Sequence, residues 1–131
     1  IEVAVQALKI KHIVVLGHAQ CGGVRAVVEH GMPLSPGDFI GKWMSQIGYL
    51  EDTLGPPGPD MMANLRRMEL AVVEHSLKQL MTFPCVRTQV EKGRLTLHGA
   101  YFGVATGLLL IRDPDTGEFK PCVQHDAIPK L

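Results

Sequence analysis

The sequence predicts an α/β fold in which a mostly parallel sheet is flanked by helices and its last strand is antiparallel. Residues 13–16 form a short apolar run rich in β-branched side chains, which is typical of a buried strand covered on both faces. Glycines and a helical pattern follow this strand directly. Nearer the end of the chain, residues 94–101 and 108–112 predict two strands joined by a short turn, and hence an antiparallel hairpin.

Apolar residues at helical spacing occur before and between these strands. The predicted helices cover residues 1–10, 24–30, 38–54, 61–82 and 84–91. Breaks rich in glycine, proline and aspartate at residues 32–38, 55–60 and 113–117 separate the elements. On the longest helix we assign the charged side chains, Glu69 among them, to the solvent face. The tail of residues 118–131 can add an edge strand to the sheet.

Composition favours one folded domain spanning residues 1–131. Hydrophobic residues make up 46% of the chain and charged residues 20%, which predicts a packed core. The 13 Lys and Arg balance the 13 Asp and Glu, which argues against a general nucleic-acid binder. No apolar run approaches the ~20 residues of a membrane helix, and no secretory signal is visible. The three widely spaced cysteines fit a reducing, cytoplasmic compartment better than a disulfide framework.

The candidate functional residues lie where the first predicted strand ends. His18 and Cys21 are three positions apart on a predicted turn, so an imidazole nitrogen and a thiolate can point at one ion. Zinc accepts both donors, and a helix beginning near Cys21 would favour the thiolate. Gly22 and Gly23 permit a close ligand approach that a Cβ would block. A packed cysteine beside a hydrogen-bonded histidine, with glycines that only form a turn, explains the same residues, because two ligands do not make a zinc site.

The motif Gly-His-x-x-Cys-Gly-Gly after an apolar strand resembles the β-class carbonic anhydrases. The stretches that carry the resemblance are residues 1–5, 12–24, 41–43, 76–84 and 95–102. The resemblance implies a β-carbonic-anhydrase-like domain in which His18 and Cys21 are two of the three protein ligands of a zinc ion. It also implies that Gly22 and Gly23 bring backbone N–H groups to a bicarbonate oxygen. The implied activity is that of a lyase, the reversible hydration of carbon dioxide to bicarbonate and a proton by zinc-activated water, in a homodimer or higher homo-oligomer.

One part of the family pattern is not found in this sequence. In the family, an upstream Cys-x-Asp-x-Arg motif supplies the third zinc ligand and an Asp–Arg pair that orients the fourth. This chain has no such motif, and neither Cys85 nor Cys122 matches a family ligand. We therefore expect an incomplete domain whose N-terminal strands and catalytic Asp–Arg pair are missing. We also expect these residues alone to be inactive or poorly folded, with the edge of strand 12–17 exposed.

Functions of two other classes remain open. A truncated, catalytically inactive homologue would act as an assembly or oligomerisation module and form mixed oligomers with an intact homologue. A thiol-based redox or structural metal protein would use Cys21 and react without zinc, although no resolving cysteine lies nearby in the sequence. We interpret Cys85 as a small buried side chain, and by the family comparison we expect His98 to lie away from the zinc.

Overall fold

The computed structural model describes residues 1–32 and 37–122. At its centre is a four-stranded sheet with the strand order β1-β2-β3-β4. The strands are β1 (His12–His18), β2 (Thr96–Gly103), β3 (Leu108–Arg112) and β4 (Phe119–Pro121). β1 pairs with β2 in parallel, and the other two ladders are antiparallel. The α/β class is confirmed, and the tail does add an edge strand, so the antiparallel part extends beyond the hairpin.

The described residues also form five α-helices and a π-helical turn at Val3–Ala7. The helices are α1 (Gly22–Val28), α2 (Phe39–Gly48), α3 (Leu50–Thr53), α4 (Met61–Leu80) and α5 (Pro84–Glu91). The single helix predicted over 38–54 is divided at Tyr49, and the one predicted over 1–10 is reduced to the π-helical turn. Asp60 begins α4, because its carboxylate accepts the N–H groups of Met62 and Ala63.

None of the helices in the described part of the chain is long and apolar enough to cross a membrane. Most of the loop predicted at 32–38, namely residues 33–36, lies outside the described residues, as does the tail from residue 123 onward with His125.

Among the described residues, two clusters of buried apolar side chains include residues of α4. One cluster joins the π-helical turn, α5 and the end of α4, and β1 packs against it; its buried members are Val5, Leu80, Val86 and Leu95. The other joins α1, α3 and the first half of α4; its buried members are Val24, Leu50, Leu65 and Met68. α4 therefore positions α1 relative to the sheet.

The helices leave one face of β1 open. Alternate residues point to opposite faces of a strand, and Ile13 and Val15 pack against the first core cluster. On the other face, Val14 is 58% exposed and Leu16 is 60% exposed. The prediction that this strand is covered on both faces is therefore wrong for residues 1–32 and 37–122, because none of their elements packs on that side. The free edge of β1, opposite β2, also has no strand beside it within the same residues.

Gly17 sets the distance between α4 and the end of β1. A Cβ at this position would lie 2.6 Å from Cγ2 of Val73 and 3.7 Å from the ring of Tyr101. Carbon atoms do not approach each other to 2.6 Å without a shift of one partner. Glycine therefore allows α4 to lie directly on the carboxyl end of β1, next to the turn that carries the candidate residues.

We expect Gly17→Ala to lower the free energy of unfolding by about 1–3 kcal/mol, because the added methyl group overpacks the contact with Val73. Urea denaturation measures the loss. Gly48→Ala is the matched control, since a Cβ there meets nothing within 4 Å. Val73→Ala in the Gly17→Ala background should recover part of the loss. Simple addition of the two single-mutant losses would contradict the steric explanation.

Candidate metal centre

β1 ends in a tight turn that carries both candidate ligands. His18 is the last residue of the strand, and Cys21 is the N-cap residue of α1. Between them, Gln20 has a φ of 58°, a left-handed conformation that costs a residue with a Cβ about 1 kcal/mol or more. The turn thus changes strand into helix within two residues, and its strained conformation persists only because neighbouring elements hold it.

The imidazole of His18 is oriented with one nitrogen free. Its Nδ1 lies 3.0 Å from the carbonyl oxygen of Ala19. A carbonyl oxygen only accepts hydrogen bonds, so Nδ1 carries the proton and donates. In the neutral ring, Nε2 then holds the lone pair. Metal-bound histidines in proteins commonly donate their other ring N–H in this way, so the tautomer fits a metal ligand.

Cys21 presents a free thiol at the start of α1. Its side chain is half-buried and in no disulfide, and it makes no capping hydrogen bond to the helix. Its carbonyl oxygen accepts the N–H of Arg25 at 2.9 Å, which begins the helix. The backbone of Cys21 is therefore engaged on the helix side while the sulfur remains available to a ligand.

Imidazole nitrogen and thiolate sulfur are both zinc donors, so the two side chains fit this metal in kind. Within residues 1–32 and 37–122, however, no group of three or more His, Cys, Asp or Glu side chains could hold a metal ion. Structural zinc sites use four protein ligands and catalytic sites typically three. The two side chains of the turn are therefore fewer than the ligands that a zinc site needs.

Two neighbouring elements hold the turn through backbone hydrogen bonds. The N–H of Ala19 donates to the carbonyl oxygen of Phe102 on β2 at 2.9 Å. The N–H of Cys21 donates to Oε1 of Glu69 on α4 at 2.9 Å. The second carboxylate oxygen, Oε2, accepts the hydroxyl proton of Tyr101 at 2.6 Å. Glu69 therefore links the turn to β2 as well as to α4.

The assignment of Glu69 to the solvent face is wrong, since only 4% of this residue is exposed. Leu65 and Val73, each four positions from Glu69 on α4, are also buried. Residues spaced by four lie on one face of a helix, so Glu69 belongs to the apolar stripe that packs toward the sheet. The spacing of Glu69 from Leu65 and Val73 can be seen in the sequence and indicates burial. The assignment to the solvent face followed instead from the preference of carboxylates for water.

Burial raises the pKa of the Tyr101 hydroxyl above its usual range, and the hydrogen bond to Glu69 and the charge of that carboxylate add to the effect. Arg66 opposes the shift, and its guanidinium carbon lies 5.6 Å from the centre of the Tyr101 ring. Tyr101 therefore stays protonated in the folded protein and remains a hydrogen-bond donor to Glu69.

The two glycines after Cys21 differ in their surroundings. A Cβ on Gly22 would meet nothing within 4 Å, whereas a Cβ on Gly23 would lie 3.1 Å from the sulfur of Met44. Gly22 lines a cleft of about 490 Å³ together with Arg25 and Met44. Packing between α1 and α2 thus accounts for Gly23, while no neighbouring atom accounts for Gly22.

The remaining histidines and cysteines lie elsewhere. His98 contacts His12, with Nε2 of one ring 3.0 Å from Nδ1 of the other, and His12 is at the end of β1 opposite His18. His75 shares a hydrogen bond of 2.9 Å with the Tyr49 hydroxyl. Cys85 is half-buried against the first core cluster, and Cys122 is exposed.

The sequence profile of one known family matches most of the chain. The family is described as carbonic anhydrase, and the match covers residues 1–109. This region contains β1, the turn, α4 and β2, and so all the residues that form and hold the candidate metal centre.

Two curated relatives are similar to the chain over much of its length. "Beta carbonic anhydrase 5, chloroplastic" of Arabidopsis thaliana is 27% identical over 104 residues, which cover 78% of this chain and 35% of the relative. "Carbonic anhydrase 1" of Escherichia coli O157:H7 is 29% identical over 133 residues, which cover 98% of this chain and 58% of the relative. The chain therefore spans less than two thirds of the length of either relative.

Solved structures share the fold. The β-carbonic anhydrase CcaA superposes with a TM-score of 0.79 at 22% identity, over 92% of this chain and 60% of that one. A β-carbonic anhydrase of Sordaria macrospora, described as tetrameric, superposes with a TM-score of 0.69 at 26% identity, over 84% of this chain and 56% of that one.

The raised pKa of Tyr101 predicts a loss of stability at alkaline pH. A group whose pKa is higher in the folded state stabilises that state below its unfolded pKa, and the stabilisation declines as the pH rises above it. We expect the free energy of unfolding to fall between about pH 9 and 11 because an unfolded tyrosine ionises near ~10. Urea denaturation across this range measures the slope.

Tyr101→Phe should flatten this alkaline slope and cost about 1–3 kcal/mol at neutral pH, because it leaves one buried oxygen of Glu69 unpaired. Tyr49→Phe, which removes the exposed hydroxyl that contacts His75, is the control and should retain the slope. Identical alkaline slopes for the wild type and Tyr101→Phe would contradict the assignment.

Proposed function

This chain belongs to the carbonic anhydrase family, and we propose that the protein catalyses the reversible hydration of carbon dioxide to bicarbonate and a proton. The observation that carries the proposal is the turn after β1. It places an imidazole with a free Nε2 and a free thiol on one short segment, inside the region that matches the family.

In this proposal His18 and Cys21 hold a zinc ion through Nε2 and Sγ. Zinc, when bound, supplies a Lewis acid that makes water acidic enough to ionise near neutral pH. The residues around the ion fix the ligands: Ala19 orients the imidazole, and Glu69 holds the backbone of Cys21. The proposal requires at least one protein ligand beyond the described residues. Because the thiol must stay reduced to bind metal, we also propose a reducing compartment such as the cytoplasm.

Gly22 is proposed to admit the substrate. The space in front of its Cα is open, so the flat carboxylate of bicarbonate can approach the backbone there. An N–H group at the start of a helix is a donor without an intrahelical partner. Gly23 was also predicted to bind the substrate. A Cβ on Gly23 would lie 3.1 Å from the sulfur of Met44, so we propose that this glycine allows α2 to pack close behind the turn.

We propose in addition that the protein forms a homo-oligomer. Exposed apolar side chains on the open sheet face, among them Val14 and Leu16, favour contact with another layer. The relative from Sordaria macrospora is described as tetrameric. The same face favours the second candidate function, a catalytically inactive assembly module, which would form mixed oligomers with an intact homologue and bind no zinc of its own.

The deciding experiment pairs the intact mass of the natural protein with its zinc content and its rate of carbon dioxide hydration. The enzyme proposal expects about one zinc per chain, as the three-ligand catalytic sites hold, and a measurable rate. A protein without zinc and without activity, which joins oligomers of an intact homologue, would replace it by the assembly module.

His18→Ala and Cys21→Ser should each remove zinc and activity from the natural protein. Loss of a metal ligand should cost more than the ~10–100-fold in affinity that loss of a supporting residue costs. Zinc content after dialysis and stopped-flow carbon dioxide hydration are the measurements. His30→Ala and Cys122→Ser are the controls, since both side chains are exposed. Full zinc retention in both ligand variants would contradict the assignment.

Gly22→Ala should reduce affinity for bicarbonate without destabilising the fold. The added methyl group meets no protein atom, and alanine in a helix is about 0.5–1 kcal/mol more stable than glycine. One methyl group in the substrate's path should raise the KM for bicarbonate dehydration by about 10-fold.

Gly58→Ala is the control for this substitution, because its Cβ would make only an ordinary contact of 3.8 Å with Asn64. An unchanged KM in Gly22→Ala would show that the open space at this position does not face the substrate.

A further inference from the structure

Glu69 is a charged side chain that the proposed chemistry does not use and that is nevertheless buried. Within the described residues it is the one charged side chain that is buried, with 4% exposed. A buried carboxylate is tolerated when hydrogen bonds replace its water. Both oxygens have such partners, the N–H of Cys21 and the hydroxyl of Tyr101. The donors come from two different elements, the turn and β2.

Within the described residues, the N–H of Cys21 has no hydrogen-bond acceptor other than Glu69. Cys21 is the N-cap residue of α1, and its own thiol caps no N–H of the helix. The N–H of Cys21 precedes the first turn of α1 and points away from it toward α4, where Glu69 accepts it. A carboxylate thus takes the backbone donor, and the sulfur keeps its freedom to bind a metal.

The position of Glu69 in the chain makes this contact rigid. It lies on α4 between Leu65 and Val73, which are 1% and 2% exposed. Val73 is the residue that packs on Gly17, immediately before His18. The strained Gln20 lies immediately before Cys21. α4 therefore contacts the chain immediately before His18 and again at the backbone of Cys21.

We propose that Glu69 is a positioning residue for the metal centre: it fixes the backbone of Cys21 so that Sγ and the imidazole of His18 meet at one ion. This inference rests on the proposed function, since it assumes that the two side chains bind zinc. It assigns to Glu69 a contact with a ligand's backbone rather than with the metal or the substrate.

The test uses cobalt in place of zinc in the natural protein, because the charge-transfer absorption between sulfur and cobalt reports the geometry of Cys21. Glu69→Gln keeps the size of the side chain and removes its charge, and Glu69→Leu removes both hydrogen bonds. We expect zinc affinity, measured by competition with a chelator, to fall by about 10–100-fold in Glu69→Leu, with a changed cobalt spectrum. In Glu69→Gln the amide oxygen still accepts the N–H of Cys21, so the fall should be smaller. If Glu69→Leu does not fold, Glu69→Ala, which also removes both acceptor oxygens, decides.

Two controls separate positioning from general stability. Tyr101→Phe removes the partner of Oε2 and leaves the bond to Cys21, so it should lower the melting temperature and keep the cobalt spectrum. Glu74→Gln removes another carboxylate of α4, one that pairs with Arg112, and should keep both spectrum and affinity.

An unchanged affinity and spectrum in Glu69→Leu would overturn the inference, and so would equal losses of affinity in Glu69→Leu and Tyr101→Phe. A wild-type protein that binds neither zinc nor cobalt would instead overturn the proposed function, and the two failures are therefore distinct.

Discussion

The contact between α4 and the carboxyl end of β1 is the constraint on which the rest of the structure depends. At Gly17 the strand offers no side chain, and Val73 occupies the space that a Cβ would take. This approach brings Glu69, one helical turn earlier on α4, within hydrogen-bond distance of Cys21. A bulkier residue at 17 would move the helix outward and break that bond. The conformation of the turn is thus set by packing that lies behind it, not by the turn itself.

The buried carboxylate shows how polar and apolar forces cooperate in this region. Taking Glu69 out of water costs several kcal/mol, which its two hydrogen bonds offset only while their geometry is maintained. The second core cluster, with Leu65 and Met68 on α4, maintains that geometry. In turn, the hydrogen bond to Tyr101 ties α4 to β2 beside β1. Apolar packing supplies the stability, and the hydrogen bonds select one arrangement of helix, strand and turn.

The sequence predicted the elements whose signals are local. The strand at 13–16, the starts of the helices at residues 61 and 84, and the hairpin formed by β2 and β3 all involve neighbours in the chain, and the structure has each of them. The turn that carries His18 and Cys21 was likewise predicted, because motif and strand end coincide, and their role as metal ligands stays a prediction. The burial of Glu69 was not predicted, because its polarity favoured the solvent face. Its burial depends on the approach of α4 to Gly17, which is 52 positions away in the sequence, and a contact at that distance gives no local signal.

The sequence also could not predict what covers the sheet. The hydrophobicity of Val14 and Leu16 shows that both side chains favour burial, but it does not identify the element that packs on them. His18 belongs to the same alternating set as these two residues, so its side chain leaves β1 on the open face. Phe102, its neighbour in the β1–β2 register, lies on that face too. Any layer that covers the exposed apolar residues therefore comes to lie beside the imidazole. If His18 and Cys21 hold zinc as proposed, a further protein ligand would have to approach from a side that α1 and α4 do not occupy. Under that proposal, coverage of the exposed apolar residues and completion of the metal site would be one structural requirement, met at the same face of the sheet.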